Sequence, residues 1–278
     1  MDNLDLHAAL DTAERIARQA GMILRLHYER TPEINSKSTS IDLVTDADRA
    51  SEAYIVPALQ QAFPTHHIVG EEGGGYGPAP DTTPYHWYID PLDGTTNFAH
   101  RFPVFAVSIA LSGPDLRPLL GAIYDPLRDE MFKAVRGGGA YLNGRRLHVS
   151  AISELAKALT ITGFPYNRWT NPDNNVDNFE NFVLRAQGVR RVGSAALDLA
   201  YVAAGRVDVY WESGPHPWDV QAGLLCVEEA GGRVTDFHGE VSHDALSGTH
   251  ILATTGLGQL HQQALTVLLD KTNAPRPA

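Results

Sequence analysis

Apolar residues near the N-terminus recur every three or four positions, a spacing that places them on one face of a helix. This pattern predicts an amphipathic helix over residues 4–28, with Asp2 or Asn3 as its N-cap. The polar, serine-rich stretch that follows is expected to form a loop. Thr45 and Asp48 then have the spacing of a capping box, which predicts the start of a second helix.

From His67 to Leu147 the pattern changes to short apolar or alternating segments, which are typical of β-strands. Residues 73–80 are rich in glycine and proline and predict an exposed loop without regular structure. Asn143-Gly144 is a strong signal for a tight hairpin turn. The first half is therefore expected to hold two helices followed by a largely antiparallel sheet. Its other predicted strands are residues 67–70, 86–90, 104–112, 119–124 and 130–135.

After Ser150 the pattern alternates between strands and helices, which indicates an α/β arrangement. The predicted strands are residues 158–162, 190–192, 207–211, 233–237 and 250–254. The predicted helices are residues 177–187, 195–204, 219–230 and 257–269. No linker-like stretch separates the two parts. We therefore divide the chain into an α+β half, residues 1–150, and an α/β half, residues 151–278, joined without a hinge.

Candidate chemistry is concentrated where the aromatic-rich strand beginning at His86 breaks at Pro91. Asp90 and Asp93 then deliver carboxylates to one point at the end of that strand. Such hard oxygen ligands suit Mg²⁺ or Mn²⁺ far better than zinc. Thr95 or the following threonine is expected to cap a short helix. The free amide groups at the start of that helix would bind a phosphate group.

The net charge and the cysteine content limit the partners and the cellular compartment that we expect for this protein. The net charge of −11 makes nucleic acid an unfavourable electrostatic partner. It would also repel a phosphorylated substrate unless bound cations reversed the local field. The one cysteine, Cys226, excludes an intrachain disulfide and fits a reducing cytosol. No apolar run is long enough to span a membrane, and the N-terminus lacks the basic start of a signal peptide. We therefore expect a cytoplasmic protein with no membrane contact and no direct contact with nucleic acid.

Several of the acids have an ordinary structural interpretation when each is taken alone. Asp48 and Asp219 both stand where a helix is expected to begin, and the helix dipole favours acids there. Glu71 reads as a loop acid after a short strand. From local spacing alone, these interpretations are favoured over catalysis.

The motifs taken together resemble the inositol monophosphatase family. The segment Asp90-Pro-Leu-Asp-Gly-Thr-Thr-Asn-Phe98 is similar to the first signature of that family. Its second signature is matched by Trp218-Asp219-x-x-Ala222-Gly223, closing in Glu229-Ala-Gly-Gly232. The remaining family blocks follow in the expected order: Asp42-Leu-Val-Thr45-x-x-Asp48, Gly70-Glu71-Glu72, Gly193-Ser-Ala-Ala196 and Glu212. The resemblance covers nearly the whole chain.

This resemblance implies a set of metal ligands. Glu71, Asp90 and the carbonyl of Leu92 would hold a first Mg²⁺. A second would lie between Asp90, Asp93 and Asp219, and a third, weaker ion would share Glu71. The implied cofactor is thus two or three Mg²⁺ ions, with Mn²⁺ as an alternative.

The resemblance also implies the residues that handle water and substrate. Asp48 would help Thr95 orient the attacking water, with Glu71 as a further catalytic carboxylate. The amides around three successive residues would hold the phosphate: Gly94, Thr95 and Thr96. Ala195 and Glu212 would meet the hydroxyls of the leaving alcohol. The fold implied is the αβαβα layered sandwich shared with fructose bisphosphatases.

The implied activity is Mg²⁺-dependent hydrolysis of a small phosphorylated alcohol, with inositol monophosphate as the first expected substrate. Relatives that cleave nucleotide or histidinol phosphates often carry a lysine where this chain has Thr96, which favours the inositol type. Sugar, histidinol and nucleotide phosphates stay open as alternatives. A regulatory binding protein linked to RNA synthesis is an alternative of a different class. The resemblance further implies lithium sensitivity and a homodimer.

Overall fold

The computed structural model describes residues 4–30, 34–36 and 43–270, with side chains described for residues 4–30 and 44–270. The Asp42 position of the family block lies outside these residues. The helices are α1 (Leu6–Tyr28), α2 (Asp46–Ala62), α3 (Thr95–Ala99), α4 (Val176–Val183), α5 (Ala195–Ala203), α6 (Pro217–Glu229), α7 (His243–Ser247) and α8 (Leu260–Leu269). Two 3₁₀ turns are Pro80–Thr82 and Leu155–Lys157.

The first two helices follow the predicted periodicity, but the predicted cap of α1 is wrong. Asp5, rather than Asp2 or Asn3, is the N-cap, and its carboxylate accepts from the amide of His7 at 3.0 Å. Three polar residues in this short stretch could each cap the helix, and the apolar pattern does not choose among them. The capping box that begins α2 is confirmed, since Thr45 and Asp48 bond to each other's backbone amides.

The strands form three sheets among the described residues. A small antiparallel pair joins β1 (Ile34–Ser36) and β2 (Leu43–Thr45). The strands of the large sheet are β3 (His67–Gly70), β4 (Gly74–Tyr76), β5 (His86–Asp93), β6 (Ala106–Ser112), β7 (Pro118–Asp125), β8 (Glu130–Val135), β9 (Gly139–Leu142) and β10 (Arg145–Arg146). Their order is β10-β9-β8-β7-β6-β5-β3-β4, and β3 and β5 are the one parallel pair. The predicted hairpins, including that at Asn143-Gly144, are confirmed.

Two predictions about this sheet are wrong. The glycine-rich stretch contains a strand, because β4 pairs antiparallel with β3 and aligns Tyr76 with Ile68. Backbone pairing needs no apolar side chains, so the composition gave no signal for it. Strand β5 also continues through Pro91 to Asp93, although its register against β6 shifts between Asp90 and Asp93.

The second half contributes a mixed sheet of five strands in the order β12-β11-β13-β15-β14. These strands are β11 (Leu159–Thr162), β12 (Gly188–Arg190), β13 (Val209–Ser213), β14 (Arg233–Thr235) and β15 (His250–Thr254). The alternation predicted from the sequence is confirmed, with α7 as an additional short helix. The division into residues 1–150 and 151–278 stays a prediction. One apolar core cluster includes Phe132 from the large sheet and Tyr210 from the smaller one.

Helix α6 is buried against the large sheet. Its Cys226 is fully buried, and burial raises the pKa of that thiol to about 12. Gly121 of β7 lies so close to α6 that a Cβ there would stand 2.6 Å from the Cα of Ala222. Ser108 of β6 donates to the carbonyl of Trp218 at 3.0 Å, which fixes the start of the helix. Among the described residues, no helix combines the length and apolar character needed to cross a bilayer.

Candidate active site

A cavity of about 230 Å³ lies where the end of β5 meets the starts of α5 and α6. Acids from both halves of the chain line it. One carboxylate oxygen from each of Glu71, Asp90 and Asp219 lies within 4.8 Å of the others. Glu71 follows β3, Asp90 belongs to β5, and Asp219 is the third residue of α6. The fold therefore brings together three of the predicted metal ligands that are up to 148 positions apart (219 − 71 = 148).

Asp219 is not the N-cap of its helix. His216 occupies that position, and its amide donates to the Asp219 carboxylate at 2.7 Å. This bond uses one oxygen, so the acid stabilises the helix start and still faces the cavity. The structural and the functional interpretations of Asp219 are compatible.

Asp93 lines the same cavity but is held differently. Its carboxylate accepts from the hydroxyl of Ser194 and from the amides of Ala195, at 3.2 Å, and Ala196, at 2.8 Å. These donors belong to the start of α5. Asp93 thus fastens the end of β5 to a helix of the other half.

The electrostatics of the cluster are unfavourable in the absence of cations. Burial, followed by the charges of three neighbouring acids, raises the pKa of Asp90 well above its ordinary value. Burial and the charges of Glu71 and Asp93 raise the pKa of Asp219 in the same way. Burial raises the pKa of Asp93 to about 6, although its bonds to α5 oppose the shift. Buried like charges at this spacing require bound protons or cations.

The donor set fits a hard divalent cation. The converging groups are carboxylate oxygens, which Mg²⁺ and Mn²⁺ prefer, and no histidine or cysteine belongs to this cluster of described residues. The carbonyl of Leu92, another predicted ligand, also lies at the cavity and accepts from the hydroxyl of Thr95 at 3.0 Å. The side chains present are therefore compatible with the predicted metal site.

Thr95 does not cap α3, contrary to the prediction, and neither does the next threonine. Gly94 is the N-cap, with a φ of 96° that a side chain would strain. The Thr95 hydroxyl instead lies 3.0 Å from Oδ1 of Asp48. The sequence motif thus supplies a buried hydroxyl–carboxylate pair rather than a cap.

Asp48 joins this pair to α2. It is fully buried, and burial raises its pKa to about 6 even though bonds from Thr45 oppose the shift. Its Oδ2 accepts from the Thr45 amide at 2.8 Å, so the capping box leaves Oδ1 for Thr95. The helix-capping and the catalytic interpretations of Asp48 involve different oxygens.

The predicted substrate contacts belong to the same cavity, with one exception. Ala195 and Glu212 both line it, as do Gly94 and Thr95, whereas Thr96 is not among its lining residues. Glu212 is partly buried and accepts from the hydroxyl of Tyr210 at 2.9 Å. Burial raises the pKa of Glu212 to about 7.

Several side chains at the cavity were not predicted, among them Tyr166, Arg191, Asp198 and Trp218. The ring of Trp218 stacks on His216 at 4.7 Å and lines the cavity that holds the acids. Asp198 did carry a signal, since it is the one charged residue in the apolar helix α5. Tyr166 and Arg191 carried none, because their positions depend on loops between elements.

Glu52 of α2 positions the turn that carries Glu71. One of its carboxylate oxygens accepts from the amide of Glu72 at 3.0 Å, and the other accepts from the hydroxyl of Tyr76 at 2.8 Å. Gly70 and Gly73 pack directly against the Glu52 carboxylate and leave no room for a side chain. The turn between β3 and β4 is therefore fastened to α2 beside the acid cluster.

In the Mg²⁺-dependent phosphatase that the sequence predicts, we expect Tyr76→Phe to raise the Mg²⁺ concentration needed for half-maximal activity several-fold while kcat at saturating Mg²⁺ stays within about twofold. The lost hydrogen bond is worth about 1 kcal/mol, which loosens the turn that presents Glu71. A Mg²⁺ titration of phosphate release measures this effect.

Tyr141→Phe is the matched control. Its hydroxyl donates to the carbonyl of Gly138 at 3.2 Å in a remote hairpin, so the same atom is lost without any contact to the site. An equal shift in both variants would contradict a positioning role for Tyr76.

Comparisons with known proteins agree with this geometry. A sequence model of the inositol monophosphatase family matches residues 5–273. A Pseudomonas aeruginosa protein named Nus factor SuhB is 49% identical over 247 residues, covering 88% of this chain and 90% of that protein. A Synechocystis protein named inositol-1-monophosphatase is 44% identical over 259 residues, covering 93% and 88%.

The solved structure of inositol monophosphatase from Anabaena (Nostoc) superposes with a TM-score of 0.85 at 44% identity, covering 96% of this chain and 97% of that one. The predicted layered α/β fold is thereby confirmed. With a family match over almost its whole length, the same fold and a cavity lined by the family's acids, the chain belongs to the inositol monophosphatase family of phosphatases.

Proposed function

We propose that this protein is a Mg²⁺-dependent phosphomonoesterase that hydrolyses a small phosphorylated alcohol, with inositol monophosphate as the expected substrate. The observation that carries the proposal is the convergence of Glu71, Asp90 and Asp219 on one cavity, beside the Thr95–Asp48 pair. Each of these groups alone has a structural explanation. Their meeting from five separate segments, namely α2, the turn after β3, β5, α3 and α6, has none that the fold requires.

The acids would hold two or three cations in the proposed enzyme, with Glu71, Asp90 and the Leu92 carbonyl on one side and Asp93 and Asp219 on the other. When bound, the cations would lower the pKa of a water and offset charge on the phosphate and the leaving oxygen. Asp93 would need to keep its bonds from α5 while it contributes to such a site. Its two oxygens provide more acceptor positions than those bonds fill.

Thr95 and Asp48 would manage the proton of the attacking water. A threonine hydroxyl takes up a proton only as it gives its own away, and Oδ1 of Asp48 lies 3.0 Å from the Thr95 oxygen to receive it. Asp48 would perform this role in its ionised form. No protein nucleophile is required, and Cys226 is buried in the core.

The phosphate would be bound at the start of α3 and the alcohol at the start of α5. Gly94 is the N-cap of α3, and Thr95 and Thr96 belong to its first turn, where helix amides have no intrahelical partner. Ala195 and Glu212, which line the same cavity, would contact hydroxyls of the leaving alcohol.

A phosphate-release assay over a panel of small phosphoesters tests the proposal. We expect inositol-1-phosphate to be hydrolysed with the highest kcat/KM among inositol, sugar, histidinol and nucleotide phosphates, and EDTA to abolish release until Mg²⁺ is restored. Lithium is expected to inhibit. Release from no member of the panel with Mg²⁺ or Mn²⁺ would refute the proposed activity.

A regulatory role is the second candidate, because a relative with 49% identity is named Nus factor SuhB. The intact acid cluster favours the enzyme, since a binding protein has no need of three converging carboxylates. A pull-down from bacterial lysate with wild-type protein and an Asp219→Asn variant separates the two candidates. Equal capture of one transcription protein by both, combined with no phosphate release by either, would favour the regulatory role. As part of the phosphatase proposal, we also expect the protein to be cytoplasmic and to form a homodimer.

A further inference from the structure

Asn97 is a residue of the first family signature that the proposed mechanism does not use. It belongs to α3 and is buried, with 9% of its surface exposed. Its side-chain nitrogen Nδ2 lies 2.8 Å from the carbonyl oxygens of Val104 and Val192 and 3.2 Å from that of Gly193. One amide group thus reaches acceptors from two segments that are distant in sequence.

The three carbonyls need such a donor. They lie in loops, outside the helices and strands of the described chain, so no helical turn or strand ladder satisfies them. An amide nitrogen carries two hydrogens and accepts none, which suits a position surrounded by carbonyl oxygens. Gly94 packs against two of the same groups, since a Cβ there would stand 3.0 Å from the oxygen of Val104 and 3.3 Å from that of Gly193.

A second contact joins the same two segments with the opposite polarity. The carboxylate of Asp93 accepts from the Ser194 hydroxyl and from the amides of Ala195 and Ala196 at the start of α5. Four residues further along, Asn97 donates to the loop that precedes α5. The proposed phosphate-binding amides lie between these two contacts. We refer to the two contacts together as the 93–97 clasp.

The two ends of the clasp differ in their relation to a bound cation. Asp93 would be drawn towards the metal in the proposed enzyme, because its carboxylate is a predicted ligand. The hydrogen bonds of Asn97 involve no charged group, and Asn97 is not among the residues that line the cavity. They can therefore hold the loop before α5 with or without a cation. Displacement of a reacting group by about 1 Å can cost on the order of a hundredfold in rate, so this restraint matters for catalysis.

We propose that Asn97 is a positioning residue of the catalytic centre, which holds the start of α5 so that the donors of α5 aim the Asp93 carboxylate at the metal position. This inference rests on the proposed phosphatase function and adds a residue to that site. Asn97 acts through the carbonyls of Val192 and Gly193. Without its amide, the start of α5 would be free to move away from the end of β5, and Asp93 would lose its orientation.

The test uses Asn97→Asp, which keeps the shape of the side chain and replaces the amide donor by a carboxylate oxygen. We expect kcat for inositol-1-phosphate at saturating Mg²⁺ to fall at least tenfold and the Mg²⁺ concentration for half-maximal activity to rise several-fold. The added negative charge alone would attract the cation and lower that concentration, so a rise reports the loss of position. Asn97→Ala removes the donor without adding charge, and we expect it to shift both quantities in the same directions.

Asn143→Asp is the matched control. Nδ2 of Asn143 donates to the carbonyl of Asp129 at 2.8 Å, in the turn between β9 and β10, and Asn143 does not line the cavity. This variant also loses an amide donor to a main-chain carbonyl, so it should lower the melting temperature as the Asn97 variants do. Its kcat and its Mg²⁺ requirement should stay within about twofold of the wild type.

Hydrogen exchange in the metal-free protein gives a second readout, which does not depend on activity. The Asn97 variants should speed the exchange of the Ala195 and Ala196 amides at least tenfold. The amide of Leu127 is the internal reference, because it also donates to a buried aspartate, Asp125, at 2.9 Å. Its exchange should not change, since a local loss of restraint at α5 does not open other parts of the fold.

An Asn97 variant that folds and keeps the wild-type kcat and Mg²⁺ requirement would overturn the inference and leave the proposed function intact. A loss of activity without faster exchange at Ala195 and Ala196 would also overturn it, because Asn97 would then act by another route. Equal kinetic losses in Asn143→Asp would do the same. An inactive wild-type enzyme would refute the proposed function itself. If Asn97→Asp fails to fold, Asn97→Ala decides on its own.

Discussion

Asp90→Asn is expected to lower kcat/KM at least about 10³-fold and to raise the melting temperature of the metal-free protein. The charges of the other three acids all act on Asp90, and in the proposed enzyme it would serve both metal positions. Loss of cation-stabilised charge in the transition state costs several kcal/mol, and each 1.36 kcal/mol is a factor of ten in rate. Phosphate release in Mg²⁺ measures the first effect, and thermal unfolding in EDTA measures the second.

The rise in stability follows from the same contacts that make the residue useful. In the metal-free protein the carboxylate is buried beside Glu71, Asp93 and Asp219, whose charges raise its pKa well above the ordinary value. Asparagine has nearly the same shape but no charge, so the substitution reduces the repulsion among these acids. Saturating Mg²⁺ should reverse the order of the two melting temperatures, because the wild type then gains more stability from binding the cation than the variant does.

Asp125→Asn is the control that distinguishes the loss of a metal ligand from the loss of an ordinary buried acid. Asp125 is fully buried, accepts from the amides of Leu127 and Arg128, and pairs with the Arg128 guanidinium at 2.7 Å. Its replacement should lower the melting temperature and leave kcat/KM close to wild type. An Asp90→Asn variant that behaves like Asp125→Asn would remove the basis for the metal site.

Thr95→Val is expected to lower kcat by about 10²–10⁴-fold, the usual contribution of positioned proton transfer. Valine keeps the branched shape and loses only the hydroxyl that contacts Asp48 and the Leu92 carbonyl. Thr95→Ser keeps the hydroxyl and should retain activity within about tenfold. Single-turnover measurements at saturating Mg²⁺ distinguish this loss from a weaker affinity for metal.

The double variant Thr95→Val with Asp48→Asn tests whether the two residues act as one unit. We expect the double variant to be no slower than the slower single variant, because members of a unit are strongly non-additive. Asp48 also caps α2 through Thr45, so its variant should lower the melting temperature where Thr95→Val has a smaller effect. Fully multiplicative losses would show that Thr95 does not pass its proton to Asp48.

Sequence reasoning located the strand end at Asp90 and Asp93 because a change from apolar residues to acids, glycine and hydroxyls is local. Asp219 was different, since its spacing described a helix start equally well, and the structure gives it that role too. Only the ordered family blocks separated the two interpretations. Its contact with Glu71 depends on how α6 packs across the sheet, which no local pattern contains.

The predictions that failed for the glycine-rich stretch and for Thr95 share one physical cause, namely partners distant in sequence. Strand β4 forms because Gly74–Tyr76 can pair with β3 and because Tyr76 reaches Glu52 on α2. Thr95 does not cap α3, because the Thr95 hydroxyl bonds to the carboxylate of Asp48 instead. Local propensity is weaker than such contacts once the chain is compact.

The close approach of Gly121 to Ala222 acts as a spacer that sets the height of α6 above the large sheet. A Cβ at Gly121 would meet backbone atoms of α6, which cannot rotate away as a flexible side chain would. The helix would have to lift, and Asp219 would rise with it, away from Glu71 and Asp90. A substitution at Gly121 would therefore disturb the acid cluster, although no atom of Gly121 belongs to that cluster.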